Sequence, residues 1–222
     1  MAELNTIQLT LPAATDDLRK LQIGTVAYLS GRIFTAREGA YKRAIEGGAG
    51  MPAARDALGL ANFHCSPAAT VNADGSYTVG AVTATASFRF AQWLDGWFEL
   101  SGCNVIIGKG GLTSEFYRKS FVPNHAIYLT TVGYGTGALL GRGIKRVASV
   151  YWLEELGLAQ GVWVLDVDKF GPFLVESDLA GNSLFERENA KIAPGLAKLY
   201  AGTKPATLRR YGETDDKTEE VI

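Results

Sequence analysis

Asn104-Val105-Ile106-Ile107-Gly108-Lys109-Gly110-Gly111 is the stretch that decides the fold. Its first half is an apolar run bounded by turn residues, which is typical of a buried strand. Its second half is a glycine-rich turn, and the hydroxyl side chains of Thr113 and Ser114 are suited to cap a helix that begins there. A strand that passes through a glycine-rich turn into a helix predicts a unit of an α/β domain.

Strands and a helix are also predicted before this unit. The strands are expected over residues 26–29, 32–35, 63–71 and 76–82. The first two flank Ser30-Gly31 and predict a strand pair, and the last two flank Asp74-Gly75, a strong hairpin signal. A helix is expected over residues 37–46, with Thr35 as its N-cap.

An aromatic-rich helix is predicted over residues 85–100. Four of its apolar side chains recur at helical spacing and are therefore expected in the core: Phe90, Trp93, Leu94 and Trp97. After the central unit, four strands are expected over residues 127–132, 147–152, 161–167 and 173–176, and the glycine-rich loop 133–137 is expected to lead into a helix. Together the segments predict a single compact domain of the mixed α/β class.

The amino-acid composition excludes several classes of function. The chain has 222 residues, with 22 Lys and Arg against 23 Asp and Glu. Its net charge of −1 therefore lacks the excess of positive charge that is typical of nucleic-acid-binding proteins. Its two cysteines, Cys65 and Cys103, cannot supply a four-thiolate zinc or iron–sulfur site, and both are expected to be buried. No apolar run suits a membrane helix and no signal peptide is evident, which predicts a cytoplasmic location. The domain is expected over residues 1–202, with residues 203–222 as a flexible tail.

Three places combine the end of a strand, a turn and a cation near a predicted helix start. The cations are Arg37, Arg89 and Lys109. Helix N-termini present unpaired N–H groups, and beside Arg, Lys and hydroxyl side chains they suit carboxylate or phosphate. If the three places converge, the expected ligand is an anion with two charged groups. The plainer interpretation is that the hydroxyls are ordinary helix caps and the cations solvated side chains.

Other motifs give weaker signals. Gly108-Lys109-Gly110-Gly111 does not match the Walker pattern, and loop 133–137 resembles a dinucleotide fingerprint but comes too late in the chain for a full Rossmann unit. His64 lies in an apolar strand and is expected in the core, whereas His125 follows a turn and is expected at the surface. No histidine spacing marks a metal site.

Five short motifs follow one another in a fixed order between about residues 18 and 190. They are Thr35-Ala36-Arg37-Glu38 with Lys42-Arg43, Phe63-His64-Cys65-Ser66-Pro67, Thr85-Ala86-Ser87-Phe88-Arg89-Phe90, Ile107-Gly108-Lys109-Gly110, and DLAGNSLF at residues 178–185. They resemble in turn the "TARD…HKR", "HCGP", "TTSxRM", "GKG" and "D..GNSLF" segments of the class I fumarase and L(+)-tartrate dehydratase family, in its β subunit or C-terminal domain. Each motif is weak alone, and their shared order makes the set specific.

The resemblance implies a swivelling β/β/α domain and a hydro-lyase that reversibly dehydrates a 2-hydroxy dicarboxylate of the tartrate, malate/fumarate or citramalate/mesaconate type. It implies an α subunit that carries a 4Fe-4S cluster, so that this chain binds no metal, and a hetero-oligomer or a homodimer of this chain. By the same resemblance Arg37, Arg89, Lys109 and Ser87 bind the substrate, and Thr85 is the proton-transfer group. Neighbouring cations would make the Thr85 hydroxyl more acidic.

Four positions depart from the family motifs. Tyr41 stands where the family has His, Ala86 where it has Thr, Ala91 where it has Asp, and Gly111 where it has Asn. These departures leave open a binding or assembly paralogue without catalytic activity. A third possibility is a stand-alone enzyme that uses the same cations on another anionic substrate without a cluster.

Overall fold

Short apolar strands build a sheet at the centre of the chain. The computed structural model describes residues 5–133 and 135–202. Within these residues the strands are β1 (Thr6–Thr10), β2 (Val26–Thr35), β3 (Ala61–Phe63), β4 (Cys65–Val71), β5 (Tyr77–Ala84), β6 (Val105–Gly108), β7 (Ile127–Thr131), β8 (Ile144–Tyr151) and β9 (Val162–Ser177). Strands β4 and β5 form a separate hairpin, and the other seven described strands share one sheet.

Most helices of the described residues are only one or two turns long. They are α1 (Thr15–Leu18), α2 (Glu38–Tyr41), α3 (Arg55–Leu58), α4 (Ala91–Ser101), α5 (Ser114–Phe116), α6 (Gly137–Gly143), α7 (Leu153–Leu156) and α8 (Leu184–Tyr200). Turns of π-helix follow α2 (Lys42–Glu46) and α5 (Tyr117–Phe121), and 3-10 turns occupy Ser87–Phe90 and Val122–Asn124. Among the described residues no helix combines the length and the apolar character needed to cross a bilayer.

The large sheet has the order β1-β2-β3-β6-β7-β9-β8. Strands β1, β2, β3, β6 and β7 run parallel, whereas β9 is antiparallel to each of its neighbours. One edge of β9 pairs with β2 and the other with β7 and β8, so β2, β3, β6, β7 and β9 form a closed ring of strands. Because the parallel strands end at one edge, the segments that follow β2, β3 and β6 meet there.

The core lies on both faces of this sheet. Along β6 the side chains alternate, so that Val105 and Ile107 join one buried cluster and Ile106 joins the other. The first cluster includes Phe170 and Phe173 of β9. The second lies under α4 and contains the aromatic side chains Phe90, Trp93 and Trp97 together with Leu94, as predicted for that helix face. The predicted mixed α/β class is confirmed.

The hairpin at Asp74-Gly75 is also confirmed, because β4 and β5 pair from Val71↔Tyr77 to Cys65↔Ala84. The helix predicted to begin near Thr113 or Ser114 is confirmed, since α5 begins at Ser114 and the Phe116 N–H donates a hydrogen bond of 3.2 Å to the Thr113 hydroxyl. His64 is fully buried and His125 is exposed, as predicted.

The predicted strand pair around Ser30-Gly31 is wrong, because residues 26–35 form the single strand β2. Gly31 marks a bulge opposite β9 and not a turn. Its φ is +129°, and a Cβ there would lie 2.4 Å from the Leu11 carbonyl oxygen, so glycine is required by the close approach of another segment.

Two further predictions need correction. Thr35 does not cap a helix, since its hydroxyl donates to the Gly161 carbonyl and accepts from the Trp163 N–H. Arg37 occupies the N-cap position of α2. The strands predicted over residues 161–167 and 173–176 are one 16-residue strand, β9, because residues 168–172 continue the pairing with β2 through Leu29↔Phe170.

Helix α6 packs directly on the backbone of β5. A Cβ on Gly141 would lie 2.1 Å from the Gly80 carbonyl oxygen, whereas a Cβ on Gly96 in α4 would meet Ile45 at an ordinary 3.6 Å. Alanine normally stabilises a helix by up to about 1 kcal/mol relative to glycine. We therefore expect Gly96→Ala to raise the free energy of unfolding and Gly141→Ala to lower it by about 1–3 kcal/mol, as overpacking does. Urea unfolding of both variants measures the difference, and equal shifts would contradict this packing.

The chain divides into two compact units, residues 1–185 and a second unit that begins at Glu186. The second unit contains most of α8, in which Glu188 pairs with Arg187 and Lys191. Every residue proposed above for the site lies in the first unit. The predicted flexible tail, residues 203–222, lies outside the described residues.

Candidate functional site

The turn over residues 85–89 crosses the carboxyl ends of β3 and β6. The Thr85 N–H donates to the His64 carbonyl at 2.6 Å, and the Lys109 N–H donates to the Thr85 carbonyl at 3.1 Å. The Ser87 N–H then donates to the Lys109 carbonyl at 3.3 Å. Three segments distant in the sequence are thereby joined at one edge of the sheet, where α/β proteins commonly bind ligands.

Thr85 presents its hydroxyl at the rim of this junction. The residue is 8% exposed, and its hydroxyl has no hydrogen-bond partner among the described residues. Its backbone, in contrast, is held on both sides by His64 and Lys109. A hydroxyl that is fixed in position and still unpaired is suited to contact a ligand.

Ser87 faces the opposite way. It is fully buried, and its hydroxyl lies 2.7 Å from His64 Nδ1 and 2.7 Å from the Tyr128 hydroxyl. A Cβ on Gly108 would lie 1.9 Å from the Ser87 Oγ, so a glycine is needed there for Ser87 to turn inward. The predicted contact of Ser87 with a substrate stays a prediction, and its observed contacts are with the core.

Arg37 lies at the end of β2, on a turn that the loop before β9 holds in place. Its Nη1 donates to the Ala159 carbonyl at 3.0 Å, and the Gly39 N–H donates to the Gln160 Oε1 at 2.6 Å. The Arg37 Nε is buried and has no hydrogen-bond partner among the described residues. The guanidinium is therefore oriented by one bond and keeps a buried N–H available for an acceptor.

Arg37 and Arg89 both lie close enough to the Glu38 carboxylate to lower its pKa. A hydrogen bond from Lys42, 2.7 Å long, is the main cause that lowers the pKa of Glu38, and the positive charges of Arg89 and Arg37 lower this pKa further. Arg89 is exposed, with its guanidinium carbon 6.0 Å from the centre of the Phe90 ring. Two of the predicted cations thus lie near one carboxylate, and the third, Lys109, is bonded to the backbone of Thr85.

A cavity of about 280 Å³ opens beside Lys109. Its other walls come from Thr83 and Ala84 of β5, Thr131 at the end of β7, and the described glycines of loop 133–137. Tyr134 of this loop lies outside the described residues. The cavity is of a size for a small molecule.

Helical segments follow all three predicted places. They are α2 with its π-helix turn over residues 38–46, the 3-10 turn with α4 over residues 87–101, and α5 with its following turns over residues 114–124. The peptide dipoles of these segments and the Arg and Lys side chains both add positive potential there.

The described residues do not fit an iron–sulfur cluster. Cys65 and Cys103 are both buried, and they belong to the two different core clusters. Burial raises the pKa of Cys65 far above its usual range and that of Cys103 to about 12, so both stay thiols, whereas a cluster is bound by thiolates. Within the described part of the chain, no three His, Cys, Asp or Glu side chains are grouped as metal ligands.

Sequence reasoning missed several polar residues beneath the site. Tyr41, Asn62 and Tyr128 are fully buried and hydrogen bonded next to His64 and Ser87. They occur singly among apolar residues, and no motif marks them. Tyr41 drew attention only as a departure from the family motif, and the structure places its hydroxyl in hydrogen bonds with Asn62 and His64.

A family model described as Fumarase C-terminus matches residues 1–188. The chain belongs to this Fumarase C-terminus family. The match covers all of the residues at the junction of β2, β3 and β6. The predicted family is thereby confirmed.

Individual relatives with tartrate dehydratase or fumarate hydratase names are also similar to this chain. L(+)-tartrate dehydratase subunit beta of Escherichia coli K12 is 33% identical over 187 residues, 83% of this chain and 88% of the relative. A Methanocaldococcus jannaschii protein with the provisional name L(+)-tartrate dehydratase subunit beta is 34% identical over 188 residues, 82% of this chain and 93% of the relative. A Geobacillus stearothermophilus protein provisionally named fumarate hydratase class I is 28% identical over 185 residues, 83% of this chain but 34% of the relative.

Proposed function

We propose that this chain is the β subunit of a hydro-lyase that, together with an α subunit, reversibly removes water from a 2-hydroxy dicarboxylate. The observation that carries the proposal is the turn over residues 85–89, which holds an unpaired Thr85 hydroxyl beside Lys109 at the edge where Arg37 also lies. The names of the relatives support the reaction class, and the words "subunit beta" support an α partner.

The cations of this chain bind the two carboxylates of the substrate. Arg37 and Arg89 both lie near Glu38, since the positive charge of each lowers the pKa of that carboxylate. Their planar guanidinium groups can each bind a carboxylate through two parallel hydrogen bonds. Lys109 provides a second positive centre beside the cavity. Two positive centres at one edge suit an anion that carries two negative groups.

Thr85 is the proton-transfer group. In dehydration, the C–H bond next to one carboxylate breaks, its electron pair forms the C=C bond, and the C–O bond on the adjacent carbon breaks as hydroxide leaves. The Thr85 oxygen takes the proton in this direction and returns it during hydration. An alcohol is a weak base, so the step requires the deprotonated hydroxyl, a state that nearby positive charge favours.

The 4Fe-4S cluster implied by the family resemblance belongs in this proposal to the α subunit. The two buried thiols of this chain do not fit it, and none of the roles assigned above depends on it.

Three of the four departures from the family motifs are compatible with these roles. Tyr41 is buried beneath the site. Ala86 contributes through its backbone, which forms an isolated parallel bridge with Lys109. Gly111 packs against Glu176 and Phe185, where a Cβ would lie 3.1 Å from each.

The test is to co-produce this chain with any candidate α subunit found in a neighbouring reading frame and to purify the complex without oxygen. We expect the complex to dehydrate at least one of tartrate, malate and citramalate, and each subunit alone to be inactive. Comparable turnover by this chain alone would overturn the need for an α subunit. A complex that neither turns over nor binds any of these acids in calorimetry would instead favour the paralogue without catalytic activity.

A further inference from the structure

A continuous chain of buried hydrogen bonds runs beneath the turn that carries Thr85. Its side chains are all fully buried and come from four elements of the fold and the segments between them. They are, in order, Asn62, Tyr41, His64, Ser87 and Tyr128. Each of these bonds joins two protein groups that are shielded from bulk solvent, so each needs one donor and one acceptor from the protein itself.

The donor and the acceptor of each hydrogen bond in this series can be assigned by starting at its Asn62 end. The Phe34 carbonyl can only accept, so the group of Asn62 that lies 3.3 Å from it is the amide Nδ2. The Asn62 Oδ1 therefore faces the Tyr41 hydroxyl, which donates to it at 2.8 Å. Since the single proton of Tyr41 is used there, its oxygen must accept from His64 Nε2 at 2.6 Å.

The same argument continues through the histidine ring. With its proton on Nε2, the neutral His64 has an acceptor at Nδ1, and the Ser87 hydroxyl donates to it at 2.7 Å. The Ser87 oxygen then accepts from the Tyr128 hydroxyl, also at 2.7 Å. A doubly protonated ring would leave the Ser87 proton without the acceptor that it has in this arrangement. Burial also favours the neutral ring, because it lowers the pKa of His64 to about 3.

His64 thus holds the turn of residues 85–89 at two points. Its backbone carbonyl accepts from the Thr85 N–H, and its ring accepts from the Ser87 hydroxyl. Ser87 in turn bonds the Lys109 carbonyl through its N–H. The His64 ring therefore helps to hold in place a turn that begins at Thr85 and ends at Arg89.

We propose that His64 is a positioning residue: as the neutral Nε2–H tautomer it accepts a hydrogen bond from Ser87 and fixes the turn that presents Thr85 and Arg89. The effect on turnover rests on the proposed hydro-lyase function. The tautomer and the fixed turn do not, and they are measured on the chain by itself.

The first test is the tautomer. In the full chain labelled with ¹⁵N, two-bond proton–nitrogen spectra distinguish a protonated ring nitrogen from an unprotonated one. We expect His64 to show a proton on Nε2 and none on Nδ1 from pH 5 to pH 8. A proton on Nδ1 anywhere in this range would overturn the proposal.

The second test uses two variants that each keep one half of the ring's hydrogen bonding. His64→Asn retains an acceptor near the position of Nδ1 and loses the donor to Tyr41, whereas His64→Gln retains a donor near Nε2 and loses the acceptor for Ser87. We expect the amides of Ser87 and Lys109 to exchange with solvent at least about tenfold faster in the Gln variant than in the Asn variant. Amides of the β4–β5 hairpin serve as the control and should exchange alike in both.

The same two variants are also expected to differ in kcat. In the complex with the α subunit we expect kcat to fall roughly 100-fold for His64→Gln and about tenfold for His64→Asn, as misplacement of a reacting group does. Equal losses of kcat with equal amide exchange would show a purely structural role. If neither variant folds, Ser87→Ala removes the same bond with little change in volume, and unchanged exchange at Lys109 in that variant would overturn the proposal.

Discussion

Replacement of Thr85 by alanine is expected to lower kcat of the assembled enzyme by roughly 10²- to 10⁴-fold, the range for loss of a general acid–base group. The hydroxyl has no hydrogen-bond partner among the described residues, and the backbone bonds of Thr85 to His64 and Lys109 do not use it. Folding should therefore be little affected. Steady-state kinetics with the accepted dicarboxylate measures the loss, and urea unfolding of the same preparation checks the fold.

Two control variants accompany Thr85→Ala. Thr85→Ser keeps the hydroxyl and should restore most of the turnover, because it removes only a methyl group. Thr10→Ala, at an exposed position on the edge strand β1, should leave kcat unchanged. Turnover of Thr85→Ala within a factor of about three of the unmodified enzyme would remove Thr85 from the proton-transfer step.

Replacement of Arg89 by alanine is expected to lower kcat/KM by roughly 10²- to 10³-fold, because it removes one of the charged groups proposed to bind a substrate carboxylate. Arg89 is exposed and its guanidinium accounts for no hydrogen bond of the described fold, so stability should change little. Arg89→Lys keeps the charge and loses the bidentate geometry, and an intermediate value is expected.

The matched control is Arg19→Ala. Arg19 is also exposed, and among the described residues the ion-pair partner of its guanidinium is Asp16 on α1. A similar loss of kcat/KM in both alanine variants would mean that general charge steers the substrate, whereas a loss confined to Arg89 supports a direct contact. Calorimetric titration of the dicarboxylate into both complexes separates weaker binding from slower turnover.

Local patterns predicted most of the individual elements correctly. The Asp74-Gly75 turn, the aromatic face of α4 and the helix start near Thr113 or Ser114 depend on neighbouring residues, and the structure confirms each of them. The errors came where a distant segment decides the local conformation. Gly31 looked like a turn, but it is required because Leu11, 20 positions earlier, approaches its backbone.

In the candidate site, too, residues in local motifs were predictable, whereas contacts between distant segments were not. The motifs located Arg37, Thr85, Arg89 and Lys109, because each lies in a short recognisable pattern. The buried hydrogen bonds beneath them were not predictable, since Tyr41, Asn62 and Tyr128 come from separate elements that only the sheet order brings together. Ser87 was predicted beside the substrate from its place in a motif, and only the three-dimensional arrangement shows that its hydroxyl points into the core.

The closed ring of strands has a consequence for folding during synthesis. One edge of β2 (Val26–Thr35) pairs with β9 (Val162–Ser177), so more than 120 residues must be synthesised after β2 before that edge finds its partner. At 5–20 residues per second this takes roughly 6–25 s, during which an apolar strand has an open edge. The emergence of β9 from the ribosome therefore sets the earliest moment at which the sheet can close, and a nascent chain that stops before residue 162 is expected to be a substrate for chaperones or proteases.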